Sequence, residues 1–403
     1  VRRIALIGVL IVIGVWVATW LFVRWRLADP AINIPTPTMP SPNAFDYYVA
    51  AGKLLVDVDK VQDAVDEGEQ WEYLPAAKEA LLAANAAAVE KWREGLQYEY
   101  GEPPIRSYEQ TMPYFADFRD LARVLRLKAQ VQGEKGDWAG AMTTQLDVMA
   151  FCADITHGSM LIGTLVSTAC QAPLRSDMRQ AMEHLNAEQA RAAARRLAAI
   201  SGAQAPMAAV MTEDKWATLA CLVEFMDKPS RGDLVRYLVW SKQRIVDDCT
   251  FYLNQVIAMV GKPYARPGPL PEYPEAELRG EMLMGPDVIR STQCGYEVNR
   301  SRNGLLVAEL ALRAWRLEHG EHPRSLHQLV PDYLDEVPQD PFAINAGLRY
   351  ERTGPDEYLL YSIGPDCKDD GGKPIENANV GEACRYRVRE DSLGDIVAGV
   401  NMG

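Results

Sequence analysis

Two periodicities divide the chain. From Ile4 to Val23 (IALIGVLIVIGVWVATWLFV) twenty residues pass without a charge. At about 1.5 Å per residue that run reaches roughly 30 Å, the thickness of one hydrocarbon core. Trp16 and Trp20 lie near its far end, where indoles favour the membrane interface. Arg2 and Arg3 precede it, and Arg24 and Arg26 follow. A removable signal would have an apolar region of about 7–15 residues and a small-residue cleavage site. This run is longer and ends in Arg24-Trp25-Arg26, so it reads as a retained single-pass anchor over residues 1–27. The flanking arginines nearly balance, and the short head favours an amino terminus left inside the cell. Residues 28–43 hold five prolines (DPAINIPTPTMPSPN from Asp29) and read as a stiff, extended stalk.

From Ala44 to about Val260 the period is helical. Asn43 caps a helix carrying Phe45, Tyr48, Ala51 and Leu54, with Asp46 favoured in the first turn. Leu81–Trp92 reads as an Ala-rich helix entered at Pro75. Phe118, Leu121, Leu125 and Ala129 make one stripe of a helix over Phe115–Gln132, and Asp137–Ile155 is the next. The segment Leu121–Phe151 resembles a tetratricopeptide-type hairpin, with Gly136-Asp137-Trp138 at the turn and Ala141 at the close approach. No 34-residue period recurs, so the expectation is an irregular helical array rather than a repeat protein. Asn186 and Gln189 have capping-box spacing for a helix through Ile200, and Ser230–Val260 reads as one or two more. Residues 261–274 hold five prolines and read as a linker or long loop. Helix resumes near Pro286 and runs to His319.

After Gly320 the pattern shortens. Leu326, Leu329, Tyr333 and Leu334 suit a short helix ending before Pro338. Residues 349–352 and 357–362 read as strands about a turn at Thr353–Asp356. Several pieces recur in a particular order here. They are His319-Gly320-Glu321-His322-Pro323, then Leu326, Leu329 and Tyr333-Leu334, then Val337-Pro338-Gln339-Asp340-Pro341-Phe342. Tyr350 follows, then Tyr361-Ser362-Ile363-Gly364-Pro365-Asp366 and Gly371-Gly372. This stretch, about residues 302–390, resembles the C-terminal half of the major pseudopilin of type II secretion systems. The resemblance implies a small α+β module and an extracytoplasmic place, not a secretion role. In that family the loop after the last strand binds calcium. The implied ligands are the carbonyl of Ile363 and the carboxylate of Asp366, with Asp369, Asp370 or Glu376 completing the set.

The expected architecture is therefore mainly α. A single transmembrane helix precedes an irregular, tetratricopeptide-like helical domain over 44–300 and a pseudopilin-like α+β module over 301–403. Composition limits the function. Hydrophobic residues make up 48%, enough for a real core. Net charge is −13, from 42 basic and 55 acidic side chains, so nucleic acid is an unfavourable partner. Cys367 and Cys384 bracket the Asp/Gly loop and read as a disulfide of an oxidising compartment; two thiols in a reducing space is the alternative. The five other cysteines read as small buried hydrophobes. Asp57, Asp59, Asp63, Asp66, Glu67 and Glu69 read as a solvated acidic face. Trp71, Trp92, Trp138, Trp216 and Trp240 read as packing residues, and His319 with His322 as a surface cluster.

No nucleophile-elbow, P-loop, zinc-protease or haem-attachment motif occurs, and no catalytic residue is assigned. The expectation is a structural or accessory subunit in a bacterial inner membrane. Its bulk would lie in the periplasm, contacting the bilayer and either other membrane-complex proteins or copies of itself, with calcium as the one ion in view. An anchored hydrolase or carbohydrate-active enzyme is the second reading. A subunit supporting cofactor-bearing partners is the third.

Overall fold

The computed structural model describes residues 2–66, 75–264, 283–377 and 384–402. Glu67, Glu69 and Trp71, and most of the proline-rich segment at 261–274, lie outside the described residues. The fold is mainly helical with one small sheet. The helices are α1 (Arg2–Arg26), α2 (Ala44–Gly52), α3 (Val58–Asp66), α4 (Pro75–Ala84), α5 (Ala86–Gly95), α6 (Tyr114–Glu134) and α7 (Trp138–Asp154). They continue with α8 (Leu161–Met182), α9 (Ala187–Ala203), α10 (Met207–Asp227), α11 (Arg231–Val239), α12 (Lys242–Val260) and α13 (Pro286–His319). A 3₁₀ turn at Leu326–Leu329 leads to strands β1 (Arg349–Arg352), β2 (Tyr358–Ser362) and β3 (Ile396–Val397). The strands form an antiparallel sheet in the order β1-β2-β3, with Tyr350 opposite Leu360 and Ser362 opposite Ile396.

Local signals placed most of these boundaries. Asn43 accepts the Phe45 amide at the start of α2, and Asn186 and Gln189 form a reciprocal capping box at the start of α9. At the α6–α7 turn Gly136 is left-handed (φ 80°), and Asp137 accepts the Gly140 amide at 2.9 Å. Ala141 is buried beyond it, so the hairpin forms as the sequence suggests. Gly320 closes α13 in the left-handed conformation. The Ala-rich segment differs, being broken between α4 and α5 at Asn85. That side chain is fully buried; it accepts the Val56 amide at 3.0 Å and donates to the carbonyls of Val56 and Leu81. A buried amide that satisfies a neighbouring loop outweighs the Ala propensity to continue. Asp57, Asp59 and Asp63 are exposed, as expected, while His322 is buried against Tyr358 rather than on the surface.

Two cores carry the fold. The larger joins α2–α9 to the second half of α13 and to the sheet; Leu121, Leu197, Leu306, Leu310, Leu329, Leu360 and Ile396 all belong to it. The smaller is built by α10–α12 and the start of α13, with Leu27 and Ile32 packed on it. The proposed domain boundary at 300/301 falls inside α13, whose residues 305–312 are buried on every face. Several buried polar groups in that helix are paired with α8 and the C-terminal segment. The Arg175 guanidinium is fully buried and donates to Asn299 Oδ1 at 2.7 Å, Asn303 Oδ1 at 3.2 Å and the Met402 carbonyl at 3.3 Å. Arg302 donates to the Asn401 carbonyl at 2.6 Å, and Arg179 pairs with Glu309 at 2.9 Å. Burial pulls Arg175 down to about 9 and Arg302 down to about 10.

α1 stands apart from both cores. It contains a 21-residue stretch, Leu6–Arg26, long and apolar enough to cross a membrane, none of it buried. The proline-rich segment after it is extended but does not stand free. Its Asp29 pairs with Lys242 at 2.9 Å, its Ala31 amide donates to Gln243 at 2.7 Å, and its Pro35 carbonyl accepts from Arg106 at 3.2 Å. Chain without its own helix or strand satisfies its backbone on the neighbouring body instead.

The shared core has a measurable consequence. Leu310→Ala removes a fully buried side chain from α13 and should cost about 2–5 kcal/mol. Amide hydrogen exchange should show equal losses of protection in α9 and β2. Loss confined to one would mean that helical body and sheet unfold separately.

Candidate functional site

Three carboxyl groups held near neutrality lie on the elements that meet around the α7–α8 turn, each with its own partners. Glu102 is almost fully buried, and Tyr114 donates to its Oε1 at 2.8 Å while Tyr100 donates to Oε2 at 3.3 Å. Its amide reaches the His157 carbonyl at 3.4 Å. Gly158 sits left-handed against this backbone; a Cβ there would lie 3.4 Å from the Glu102 nitrogen. Burial pushes Glu102 up to about 7, against the opposing pull of its hydroxyl donors. Asp214 reaches across from α10 and accepts the Leu161 amide at 2.7 Å. It thereby supplies the cap that Met160 lacks at the start of α8. Burial pushes it up to about 7 as well, with Glu213 adding repulsion. Asp154, at the end of α7, accepts the Tyr48 hydroxyl at 2.7 Å and is raised by burial to about 6.

The same segment is clamped to α10. Arg106 pairs with Glu213 at 2.6 Å, and Glu224 accepts from the Ser107 hydroxyl and the Tyr108 amide, both at 3.1 Å. Carboxyl groups titrating near neutral pH can hold or release a proton there, which is what general acid–base work needs. Every oxygen described also has an internal donor, which equally suits a structural latch. Sequence inspection did not single out Glu102, Asp154 or Asp214. They lie up to 112 positions apart, and it is the fold that buries each of them.

In the C-terminal loop the acidic side chains take partners from the chain itself. Asp366 is buried and accepts the Lys368 amide at 3.2 Å. Asp369 turns outward to Arg349 at 3.0 Å and accepts the Tyr361 hydroxyl at 2.9 Å and the Gly371 amide at 3.1 Å. Ile363 gives its amide to Asp340 at 2.9 Å. The Asp370 amide turns to Asp395 Oδ1 at 3.4 Å. Among the described residues no three acidic, His or Cys side chains are gathered as a metal group; Asp369 and Asp370 lie near Asp395, whose carboxyl is raised by burial and, with it, by their repulsion. The residue that orders this loop is Asp395, which accepts the Gly372 amide at 2.7 Å and is itself fully buried.

The expected bridge between Cys367 and Cys384 is not formed; no disulfide is present among the described residues. Closure comes from Asn377 instead. Its amide donates to the carbonyls of Cys384, Arg385 and Arg387 at 2.9–3.2 Å, and Glu376 pairs with Arg385. These bonds tie residues 376–377 to residues 384–387.

The protonation of Glu102 has a sign that can be measured. Its folded value near 7 exceeds the ordinary 4.5. Between these values the unfolded chain releases a proton that the folded chain keeps, so stability falls as pH rises through this window and stays lower above it. At about 1.4 kcal/mol per unit the loss is roughly 2–4 kcal/mol. Glu102→Gln should flatten that slope in melting curves taken across the window; an unchanged slope would place the titration elsewhere. Asp395→Ala should speed exchange of the Gly372 amide about tenfold or more, the loss of an acceptor worth about 1–3 kcal/mol. Exchange as slow as in the parent would show that another group orders the loop. Comparison with family models, with curated proteins and with solved structures returned no match to this chain.

Proposed function

We propose that this chain is a single-pass, membrane-anchored structural or accessory subunit, with α1 in the bilayer and the helical body and α+β module on the outer side. The observation that carries the reading is α1 itself. Its apolar side chains bury in neither core, and water would charge about 25 cal/mol for each Å² left exposed. A bilayer removes that cost. The rigid ties from Asp29, Ala31 and Pro35 to the body favour a platform held at a set distance from the membrane rather than a domain on a loose tether. The long α13 followed by a small antiparallel sheet agrees with the pseudopilin-like character of residues 302–390, and with it the outer location.

A second reading rests on Glu102 and Asp214. Two carboxyl groups protonated near pH 7 are what an anchored hydrolase would use as acid and base. The subunit reading is preferred because both groups are occupied by donors from the chain's own backbone and tyrosines.

The full chain should stay with membranes after an alkaline carbonate wash, and protease added to intact spheroplasts should digest the body. Release by carbonate would remove the anchor. Protection until the membrane is permeabilised would reverse the orientation. Purification in mild detergent should bring stoichiometric partners or further copies of the chain. A lone monomer whose hydrolytic activity is lost in Glu102→Gln would favour the enzyme.

A further inference from the structure

The surface beside the exit of α1 carries a second apolar element. α11 spans Arg231–Val239 and opens with a capping box between Ser230 and Asp233. Only Tyr237 on it is buried. Leu234, Val235, Leu238 and Val239, at positions i, i+1, i+4 and i+5, form one face and are 39, 63, 36 and 60% exposed. Such spacing puts four aliphatic side chains on a single stripe, with Val235 and Val239 mostly uncovered and Leu234 and Leu238 partly so. A short helix gains little from its own hydrogen bonds, so an uncovered apolar stripe is a cost unless something covers it.

The position of α11 indicates what covers it. Its last residue is tied to the end of α1, where Arg26 donates to the Val239 carbonyl at 3.3 Å. The Arg26 guanidinium also lies 5.0 Å from the ring centres of Phe22 and Trp25. Aromatic and arginine side chains at the end of an apolar helix mark the headgroup level. The carboxyl end of α11 is therefore fixed at that level. Charge agrees: Lys228, Arg231, Arg236, Lys242 and Arg244 face one acid, Asp233, between positions 228 and 244, in a chain of net charge −13. Lys242 is buried against Asp29 and Arg244 pairs with Asp248, so the rim is Lys228, Arg231 and Arg236, and that basic edge beside an aliphatic stripe fits an anionic lipid surface.

We propose that α11 is an interfacial helix that lays Leu234, Val235, Leu238 and Val239 into the headgroup–acyl boundary of the same bilayer that α1 crosses. It gives the body a second membrane contact and fixes its tilt. The inference rests on the anchor reading above, and the test separates the two.

A fluorescent amino acid is placed in the full chain at Val12 in α1, at Val235 in α11, or at Leu317 near the far end of α13. The chain is reconstituted in phosphatidylcholine vesicles with about 30% phosphatidylglycerol, and a doxyl-labelled lipid quenches within the outer acyl region. Quenching is expected at Val12 and at Val235, the latter at least about twofold above Leu317, because an interfacial helix sits about 5–10 Å into that boundary. Leu238→Asp with Val239→Asp should return the Val235 probe to the Leu317 level while Val12 and the far-UV circular dichroism stay unchanged. Quenching at Val12 but not Val235 overturns the α11 contact and leaves the anchor standing. Quenching at Val235 but not Val12 supports the contact and removes the anchor. No quenching at either removes both. Equal quenching at all three sites shows non-specific adsorption and overturns the proposal.

Discussion

The constraint on which the rest of this structure depends is the burial of α13 on all sides. A helix with one apolar stripe can lie on a surface, whereas one that is apolar around its circumference must be enclosed. Residues 305–312 are buried without interruption, so α8 and α9 cover one side and the sheet with its preceding 3₁₀ turn covers another. The C-terminal module is the lid over a helix that the body alone leaves open. That is why the larger core runs from α2 to Met402 without a break.

Enclosing α13 also traps its polar residues, and the solution is a set of arginines, Arg175 and Arg302 buried and Arg179 partly so. Arg175, Arg179 and Arg302 meet Asn299, Asn303, Glu309 and the carbonyls of Asn401 and Met402. An Arg fork offers several donors in one plane and can bond carbonyls and amides that belong to three separate elements. Removing one partner strands the others away from water, which costs more than the bond itself is worth. The same logic recurs at Glu102, where two tyrosines and a crossing backbone hold a carboxyl group that burial raises to about 7. Polar latches of this kind fix which elements meet, while the aliphatic core supplies most of the stability.

α1 and α11 each carry a run of exposed apolar side chains. The chain between α1 and α2 is pinned by Lys242, Gln243 and Arg106, so the orientation of the apolar helix relative to the body is set by contacts on α12 and on the segment before α6.

What the sequence by itself determined was whatever local chemistry decides. The charge-free run at Ile4–Val23 shows itself because nothing in it contradicts an apolar helix. The Asn43 cap, the Asn186–Gln189 box, the Gly136-Asp137 turn and the strands near 349–352 and 358–362 were legible because their bonds close within a few residues. Tertiary structure decided the rest. The Ala-rich helix breaks at Asn85 because Val56, 29 residues away, needs its amide. The proline-rich segment lies down because Arg106 and Lys242 receive it. The loop near Asp366 is ordered by Asp395 and Asn377 rather than by a bridge between Cys367 and Cys384, since backbone amides found acceptors that sequence spacing does not reveal. Glu102, Asp154 and Asp214 become unusual acids only through burial. Burial belongs to the packed whole, because the energy of a carboxyl group depends on how much water the fold leaves around it.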